Sequence, residues 1–395
     1  MNALTTEQIQ FIKEHAADDP ARLLLSAARY PDMDVPFLAE QIAARRQIRE
    51  KLPSWYKNEA LIFPAKIAVE QCSSEQTAGY KQKLVEPETY MYDLTGGLGI
   101  DSYFFSRKVN RLVYVERFPD YCDAARYNFS VLGAENITVI QADAAHYLDR
   151  IAEADVFYLD PARRGESNKR VFALQDCEPD LPALLPVLLQ KAPKVIAKLS
   201  PMADLRMTWE LLPGITSIHL LSIKNECKEM LVVVERETGK KEIPVHCINW
   251  NADGSESSFV FEWEKEADTP VVWAGRVETF LYEPNTSVLK AGAFRQVGMQ
   301  LGVKKLHPSS HLYTSSERVK DFPGRIFRVE EILPFTGKLC KGIAKSIPQA
   351  NITARNFPLT VDELRKRTKI RDGGTVYIFA TTLLNGSKVL IRCRK

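Results

Sequence analysis

The stretch Asp93-Leu94-Thr95-Gly96-Gly97-Leu98-Gly99-Ile100-Asp101 decides the fold. The apolar residues before it, Tyr90-Met91-Tyr92, predict the start of a buried strand, and the sequence from Ser102 onward predicts a helix. A glycine-rich turn between a strand and a helix lets the backbone approach a ligand closely, because no Cβ stands in the way. We therefore expect a ligand site at this turn.

Three further acidic residues follow along the chain, each directly after an apolar run that predicts a strand. They are Glu116 after residues 112–115, Asp143 after residues 137–142 and Asp160 after residues 156–159. Open α/β sheets bind ligands at the edge where the carboxyl ends of their strands meet. Each acid alone could instead cap the helix that follows it. Together with Asp93, the acids predict a group of carboxylates around one pocket.

A pocket lined with carboxylates suits a cation, and this order of residues resembles the class I S-adenosylmethionine-dependent methyltransferases. The resemblance implies that Asp93 holds the ammonium group of the cofactor's methionine moiety, directly or through water. It implies that Glu116 binds the ribose hydroxyls, while Asp143 and the backbone N–H of Ala144 bind adenine. The other expected cofactor contacts come from the turn and the start of the helix, namely Thr95, Gly96, Gly97, Gly99 and Asp101. S-adenosylmethionine is the expected cofactor.

A dinucleotide-binding site is the alternative, because it also has glycines after a first strand and an acid after the second. The chain departs from the pattern G-x-G-x-x-G, since Gly96-Gly97-Leu98-Gly99 is followed by Ile100-Asp101-Ser102. The Asp before the glycines and the later Asp143 and Asp160 favour the methyl donor.

Apolar strands alternating with helical stretches predict an α/β fold with a Rossmann-like, seven-stranded sheet. The predicted strands cover residues 90–94, 112–116, 137–142, 156–160, 194–199, 217–223 and 229–235. Only residues 224–228 separate the last two strands, which permits a hairpin but no helical crossover. Beyond residue 236 the pattern predicts strands at 243–249, 258–263 and 271–274 and a helix over 287–301.

The segment Asp160-Pro161-Ala162-Arg163-Arg164-Gly165 would lie at the reacting edge of such a sheet. It resembles the Asp-Pro-Ala/Pro-Arg motif of RNA 5-methyluridine methyltransferases, which need a cysteine nucleophile after the fifth strand. In Lys198-Leu199-Ser200-Pro201 that position is Leu199, so we expect methyl transfer to a nitrogen or an oxygen without a covalent intermediate. Asp160 is the expected catalytic residue, because it can hydrogen-bond the acceptor's N–H or take its proton.

Substrate contacts are expected on both sides of Asp160. The candidates are Pro161, Arg163, Arg164, Lys198 and Ser200. The two arginines could hold a phosphate or a base edge. The alternative, which the sequence leaves open, is that they pair with the nearby acids Glu166, Asp176 and Glu178.

Residues 71–81, just before the first predicted strand, are rich in small hydrogen-bonding side chains. They could fold over the cofactor as a lid, with Ser74 and Thr77 as donors. A plain helix capped by Ser74, with Thr77 and Ala78 in its first turn, explains the segment nearly as well.

Motifs in the C-terminal part resemble a group of bacterial class I methyltransferases that carry a ferredoxin-like segment and a THUMP-like C-terminal domain. The motifs are Tyr282-Glu283-Pro284-Asn285, Leu289-Lys290-Ala291-Gly292-Ala293-Phe294, Lys305-Leu306-His307-Pro308, His311-Leu312-Tyr313-Thr314, Phe322-Pro323-Gly324-Arg325 and Asn351-Ile352-Thr353-Ala354-Arg355-Asn356-Phe357-Pro358. The expected parts are an N-terminal helical region (1–85), a Rossmann-like S-adenosylmethionine-binding domain (86–236), a β-rich and ferredoxin-like region (237–323) and a THUMP-like domain (324–395).

Charge is divided unevenly along the chain. Residues 281–395 carry 21 Lys and Arg against 8 Asp and Glu, whereas the whole chain has a net charge of only +3. THUMP domains belong to tRNA-modifying enzymes, so the resemblance implies an RNA substrate, tRNA or rRNA, and a basic surface suits a polyanion. The candidates for contacts with the RNA backbone are Lys290, Arg295, Lys304, Lys305, Arg325, Arg355 and Arg365.

The remaining features narrow the class of protein. Seven scattered cysteines without a Cys-x-x-Cys pair predict reduced thiols and no metal site. No apolar run is long enough for a bilayer, and the N-terminus lacks a signal-peptide layout, so we expect a cytoplasmic protein with no membrane partner. Two other functions stay open: a methyltransferase acting on protein or a small molecule, and a non-catalytic RNA-binding protein. The oligomeric state is not predicted.

Overall fold

Two compact units make up the chain. The computed structural model describes residues 3–64, 66–163, 177–236 and 242–395, without the side chains of residues 66–68 and 163. The first unit comprises Met1–Thr216 and Leu231–Gly239, and the second comprises Ser217–Met230 and Lys240–Lys395. The candidate arginine Arg164 lies outside the described residues.

Helices form the start of the first unit. They are α1 (Thr6–Glu14), α2 (Pro20–Leu25), α3 (Val35–Lys51), α4 (Pro53–Lys57), α5 (Lys66–Gln71) and α6 (Glu75–Lys81), with short 3-10 turns at Ala27–Arg29 and Gln82–Leu84. Local sequence fixes where several begin, because Thr5, Asp19 and Asp34 each accept a backbone N–H as the N-cap. Apolar side chains such as Leu38 and Ile42 of α3 form the core beneath them.

Strands and helices then alternate along the first unit. The elements are β1 (Tyr90–Asp93), α7 (Ile100–Ser106), β2 (Arg111–Glu116), α8 (Pro119–Val131), β3 (Ile137–Gln141), α9 (Ala144–Tyr147), a 3-10 turn (Leu148–Arg150), β4 (Val156–Leu159), β5 (Ala162–Arg163), β6 (Cys177–Glu178), α10 (Leu181–Lys191), β7 (Lys194–Leu199) and α11 (Leu205–Leu211). Five of these strands run parallel in the order β7-β4-β1-β2-β3. The order reverses at β1 and β4, which makes their carboxyl ends the switch point where such sheets bind ligands.

A hairpin follows, formed by β8 (Ile215–Ile223) and β9 (Glu226–Glu235). Lys224 and Asn225 both have positive φ, as a two-residue hairpin turn requires. The division between the two units falls within β9. Its residues 231–235 lie next to β7 in the first unit, and its residues 226–230 lie next to β8 in the second unit. The α/β fold and the antiparallel hairpin that were predicted from the sequence are therefore confirmed.

The second unit continues with two sheets. Its further elements are β10 (Pro244–Trp250), β11 (Glu256–Glu262), α12 (Trp263–Glu266), β12 (Phe280–Pro284), α13 (Thr286–Ala291), α14 (Gln296–Leu301), β13 (Lys304–Lys305), β14 (Tyr313–Ser315), β15 (Gly324–Pro334), α15 (Gly337–Ser346), β16 (Asn351–Arg355), α16 (Val361–Thr368), β17 (Val376–Thr382) and β18 (Lys388–Arg394). β10 pairs with β8 in parallel, and β11 pairs with β10. The second sheet has the order β13-β14-β12-β15-β18-β17-β16.

Two local predictions for the second unit are wrong. The helix expected over residues 287–301 is two helices, because Gly292 adopts φ 75° and ends α13 in the left-handed conformation typical of a C-terminal glycine. The strand expected at 271–274 is absent among the described residues, where Trp273 forms only an isolated bridge with Lys305. The described helices include none with the length and apolar character to span a bilayer.

A buried amide ties a loop of the first unit to α8. Asn128 is fully buried, its Oδ1 accepts the N–H of Ile62 at 2.9 Å, and its Nδ2 donates to the carbonyl of Ile62 at 2.7 Å. Both backbone groups of Ile62 are thereby satisfied away from water, where an unpaired group is costly.

We predict that Asn128→Ala lowers the free energy of unfolding by about 2–4 kcal/mol, because it leaves both backbone groups of Ile62 unpaired. Urea denaturation followed by circular dichroism measures the change. Arg126→Ala on the same helix removes only an exposed ion pair with Asp123 and should cost less than about 0.5 kcal/mol. Equal losses in the two variants would show that the amide does not stabilise the fold.

Candidate active site

The glycine turn after β1 has a shape that only glycine permits. A Cβ on Gly96 would stand 2.2 Å from the ring of Tyr114, and one on Gly99 would stand 2.7 Å from Phe129. Gly97 and Gly99 also have positive φ, at 54° and 80°. Packing on Tyr114 and Phe129 therefore requires glycine at 96 and 99, whereas a Cβ on Gly97 would meet only the carbonyl oxygen of Thr95, at 3.8 Å, so at Gly97 the backbone is clear of described side chains.

Asp93 fixes this turn from below. Its side chain is buried, Oδ1 accepts the N–H of Thr95 at 3.0 Å, and Oδ2 accepts the hydroxyl of Ser102 at 2.5 Å. Burial raises the pKa of this carboxyl to about 7, with the charges of Asp101 and Asp160 adding to the rise and the two hydrogen bonds opposing it. Asp93 therefore holds strand, turn and helix together, and both of its oxygens already accept a hydrogen bond.

Glu116 brings the end of β2 to the turn. Its Oε2 accepts the N–H of Gly97 and its Oε1 accepts the N–H of Phe118, both at 2.9 Å. The side chain is 8% exposed. Because each carboxylate oxygen has a second lone pair, Glu116 can still accept from a ligand at this edge.

Asp143 stands at the next strand end and caps α9. Its Oδ1 accepts the N–H groups of Ala145 at 3.0 Å and His146 at 3.3 Å. This is the capping role that the sequence left open for each acid. The strand end still lies beside Glu116, because the N–H of Ala142 donates to the carbonyl of Glu116 at 3.0 Å, and the buried Ala144 begins α9 there.

Asp160 joins the same edge from β4. Its backbone N–H donates to the hydroxyl of Thr95 at 2.6 Å, and its Oδ2 pairs with the ammonium of Lys198 from β7. Burial raises the pKa of the Asp160 carboxyl, although the charge of Lys198 opposes the rise. With 36% of its side chain exposed, Asp160 can be reached by a substrate.

The other expected substrate contacts are placed less completely. Pro161 is half-buried, and Ser200 Oγ accepts the N–H of Met202 at 3.2 Å. Only the backbone of Arg163 is described, in β5, which pairs with β6. Glu178 of β6 forms an ion pair with Arg117 at 3.0 Å.

A buried charge network that the sequence did not reveal underlies the turn. Lys81 is fully buried, and its ammonium donates to Asp101 at 2.9 Å and to Ser73 at 2.6 Å. Asp101 also accepts from the hydroxyls of Ser73 at 2.8 Å and Tyr158 at 2.7 Å. Burial alone would raise the pKa of Asp101, but the charges of Lys81 and Lys198 and these hydrogen bonds lower it. The carboxylate is therefore ionised and anchors the start of α7.

The segment before β1 contains the capped helix that the sequence predicted as one of two interpretations. Ser74 and Thr77 form a capping box at the start of α6, with backbone to hydroxyl distances of 3.1 and 3.2 Å. Both side chains are buried. Cys72 nearby donates its thiol to the carbonyl of Val69, and burial raises the pKa of this thiol.

Contacts thus bring together Asp93, Thr95, Gly96, Gly97, Gly99, Asp101, Glu116, Asp160 and Lys198 at one sheet edge. Lys81, Ser73, Ser102 and Tyr158 were missed. The sequence alone does not predict that Lys81 belongs to the site. A buried lysine needs an acidic partner, and the partner of Lys81 is Asp101, which lies on another helix. Among the described residues no group of His, Cys, Asp and Glu could hold a metal ion.

We predict that the buried carboxyl of Asp93 makes stability depend on pH. An Asp in an unfolded chain has a pKa near 3.9, whereas Asp93 in the folded protein has a pKa of about 7. Between these values the folded state keeps a proton that the unfolded state has lost, so the free energy of unfolding falls as pH rises. Relative to Asp93→Asn, the native protein should lose about 2 kcal/mol between pH 5 and pH 7 in urea titrations. A difference that stays constant with pH would refute the assignment.

Comparison with known proteins identifies the family. A ferredoxin-like domain family matches residues 280–323, and a THUMP domain-like family matches residues 324–395. A solved structure from Porphyromonas gingivalis W83, designated a methyltransferase, is 38% identical in sequence, and the match covers 98% of this chain and 97% of that chain with a TM-score of 0.90.

Two other matches are weaker or shorter. A precorrin-6Y C5,15-methyltransferase from Geobacter metallireducens GS-15 is 14% identical, and the match covers 42% of this chain and 91% of that chain with a TM-score of 0.33. An uncharacterized protein of Methanothermobacter thermautotrophicus strain Delta H is 41% identical over 56 residues, which are 14% of this chain and 22% of that protein. Because the Porphyromonas gingivalis match extends over nearly the whole of both chains, this protein belongs to the same family, that of proteins designated methyltransferases with a ferredoxin-like domain and a THUMP-like C-terminal domain.

Proposed function

We propose that the protein is an S-adenosylmethionine-dependent methyltransferase that methylates a nitrogen or an oxygen of an RNA nucleotide in tRNA or rRNA. The observation that carries the proposal is the contact set at the sheet edge. Gly97 of the turn bonds Glu116, Thr95 of the turn bonds Asp160, and Asp93 holds the turn itself. These contacts gather three carboxylates around a backbone cradle at the switch point of the sheet.

The residues present fit S-adenosylmethionine. A Cβ at Gly97 would meet only the carbonyl oxygen of Thr95, at 3.8 Å, so the backbone there is clear of described side chains, and a carboxylate-rich edge suits a ligand with a sulfonium and an ammonium group. Glu116 would hold the ribose hydroxyls through its free lone pairs, and Asp143 with Ala144 would hold the adenine. When bound, this cofactor supplies an electrophilic methyl group.

Asp160 is the proposed catalytic residue. Its position is set twice, by the bond from its N–H to Thr95 and by the ion pair with Lys198. A fixed carboxylate can orient an acceptor N–H or O–H toward the methyl group and take the proton as the new bond forms. The proton passes from the acceptor to Asp160 and then to solvent.

A covalent cysteine intermediate is not part of the proposal. Leu199, the last residue of β7, is buried and stands where the RNA 5-methyluridine methyltransferases have their nucleophile. Cys72 has its pKa raised by burial and donates to a carbonyl, so it is a thiol and not the thiolate that such chemistry requires.

RNA is the proposed substrate because of the C-terminal region. The match to a THUMP-like domain covers residues 324–395, and the basic charge of residues 281–395 suits a polyanion. We also propose the cytoplasm as the place of action, as expected from the sequence.

We predict that Glu116→Gln lowers the affinity for S-adenosylmethionine about 10- to 100-fold, because it replaces a charged acceptor for the ribose with a neutral amide. Isothermal titration calorimetry measures the affinity. Asp120→Asn removes an exposed carboxylate from the first turn of the next helix and should leave the affinity unchanged. Equal affinities in the two variants would contradict the proposed cofactor site.

We predict that Asp160→Asn lowers kcat for RNA methylation about 10²- to 10⁴-fold while the affinity for S-adenosylmethionine stays within about threefold. The Asn side chain keeps an acceptor for Lys198 but cannot take a proton. The substrate is RNA purified from cells that lack the gene, and mass spectrometry of nucleosides measures the product. A methylated nucleoside should be missing from that RNA and restored by the native protein. Transfer to protein or a small molecule, with no change in RNA, would refute the RNA substrate.

A further inference from the structure

A buried carboxylate in the second unit holds two arginines side by side. Glu283 of β12 has a side chain that is 4% exposed, and its Oε2 accepts from Arg325 Nε at 2.8 Å. Its Oε1 accepts from Arg355 Nε at 3.1 Å and Nη2 at 3.0 Å. The arginine side chains are 38% and 37% exposed. Each guanidinium has five N–H groups, so each keeps donors that Glu283 does not use.

His307 and Asn356 extend the arginine pair. The N–H of Ser309 donates to Nδ1 of His307 at 3.0 Å, and Asn356 Nδ2 lies 2.9 Å from the same atom. Because Nδ1 accepts, the ring proton is on Nε2, which is a donor. Asn356 follows Arg355 directly and has φ 51°, with its carbonyl held by the Thr382 hydroxyl at 2.7 Å. The backbone next to Arg355 is therefore fixed.

A lysine adds a third positive charge. Lys305 is buried, and its Nζ lies 5.2 Å from the centre of the Phe294 ring, which stacks on His311 with 3.5 Å between centres. Burial and the charges of Lys305 and Arg355 lower the pKa of His311 to about 4, so this ring is neutral at pH 7. Lys305 and Arg355 thus both lie near His311.

Positive charge exceeds negative charge in this cluster. Arg325, Arg355 and Lys305 are positive, as is Arg295 near Lys305, whereas Glu283 and, beside Lys305, Glu266 are negative. The sum is two positive charges, and the two partly exposed arginines keep unused donors. We propose that these residues form a site for one phosphodiester group of RNA, a proposal that rests on the RNA substrate inferred above. The planar guanidinium of arginine can donate two parallel hydrogen bonds to the two non-bridging oxygens of a phosphodiester.

Convergence of separate motifs supports the site. The stretches 282–285, 305–308, 322–325 and 351–358, far apart along the chain, each contribute one or two of its residues. Lys304, Arg365 and Arg295 also have internal partners, namely Glu278, Asp372 and backbone carbonyls, but in the described contacts none of them shares a carboxylate with a second arginine. We therefore assign RNA contact to the paired Arg325 and Arg355 ahead of these three.

Arg355→Gln tests the site in the full-length protein. Fluorescence anisotropy with a labelled single-stranded RNA gives the affinity at several salt concentrations. We expect a three- to tenfold loss of affinity, and the slope of log K against log salt should decrease in magnitude by about 0.7, the value for one phosphate contact on a single strand. Arg394→Gln is the matched control, because it removes an equal charge from the exposed partner of Glu330 in the same sheet. It should leave the slope unchanged.

A second variant separates binding from folding, since Arg355→Gln leaves Glu283 with one partner. The double variant Glu283→Gln with Arg355→Gln keeps the net charge of the native protein. It should melt close to the native temperature and still bind RNA as weakly as Arg355→Gln. Recovery of native RNA affinity in the double variant would refute the site.

The remaining outcomes are also decisive. If native protein binds RNA, and Arg355→Gln and Arg394→Gln reduce the salt slope of RNA affinity equally, the phosphate site is wrong and the RNA substrate stands. If native protein binds no RNA while calorimetry still detects S-adenosylmethionine, both the site and the RNA substrate fail and the methyl-donor site stands. If binding requires a 5′-phosphate on the RNA, the ligand is a terminal phosphate and the phosphodiester assignment is wrong.

Discussion

The hydrogen bonds of one buried carboxylate hold the candidate active site in place. Asp93 accepts from Thr95 in the turn and from Ser102 in α7, so strand, turn and helix are joined at one side chain. Thr95 in turn accepts the N–H of Asp160 from the neighbouring strand. Burial of Asp93 has an energetic cost, because a carboxyl group removed from water resists ionisation. The raised pKa of Asp93 reflects this cost. The turn is therefore shaped before any ligand arrives, as binding sites with low reorganisation require.

Buried lysine side chains neutralise part of the acidic charge at the sheet edge. Lys81 neutralises Asp101, and Lys198 pairs with Asp160, so two of the acids have an ammonium partner within the first unit. In the part of the chain that the structure describes, Glu116 instead receives only backbone N–H groups. The carboxylates thus differ in kind: one is tied into a buried network, one is paired but accessible, and one is held by amides at the edge. Such differences let neighbouring carboxylates serve different purposes in one site.

Much of the first unit could be predicted from its sequence, because apolar strands, glycines and caps act locally. The glycine turn and the acids at positions 93, 116 and 160 lie where the pattern put them. The pairing of Lys81 with Asp101 could not be predicted, since it joins two helices and depends on tertiary packing. The role of Asp143 could not be settled either, because a cap and a ligand contact have the same sequence signature.

In the second unit, local signals were weaker guides. Gly292 lies within an apolar, helix-like run, yet its left-handed backbone ends α13, and propensity alone does not reveal such a break. The eleven-residue strand β15 was missed because most of its residues are only partly buried, so its sequence shows no clean alternation. The Glu283 cluster could not be predicted either, because β12 lies beside β15 whereas β16 is at the far edge of the same sheet, so strand order does not indicate that Arg355 bonds Glu283.

Lys81 has one more consequence. Its side chain has no exposed surface, and its amine is held by Asp101 and Ser73. An acylating reagent in solvent cannot meet that amine while α6 stays packed. Slow covalent labelling at this position, followed by peptide mapping, would therefore report how often the helix detaches, and the protein carries this probe of local opening in its natural sequence.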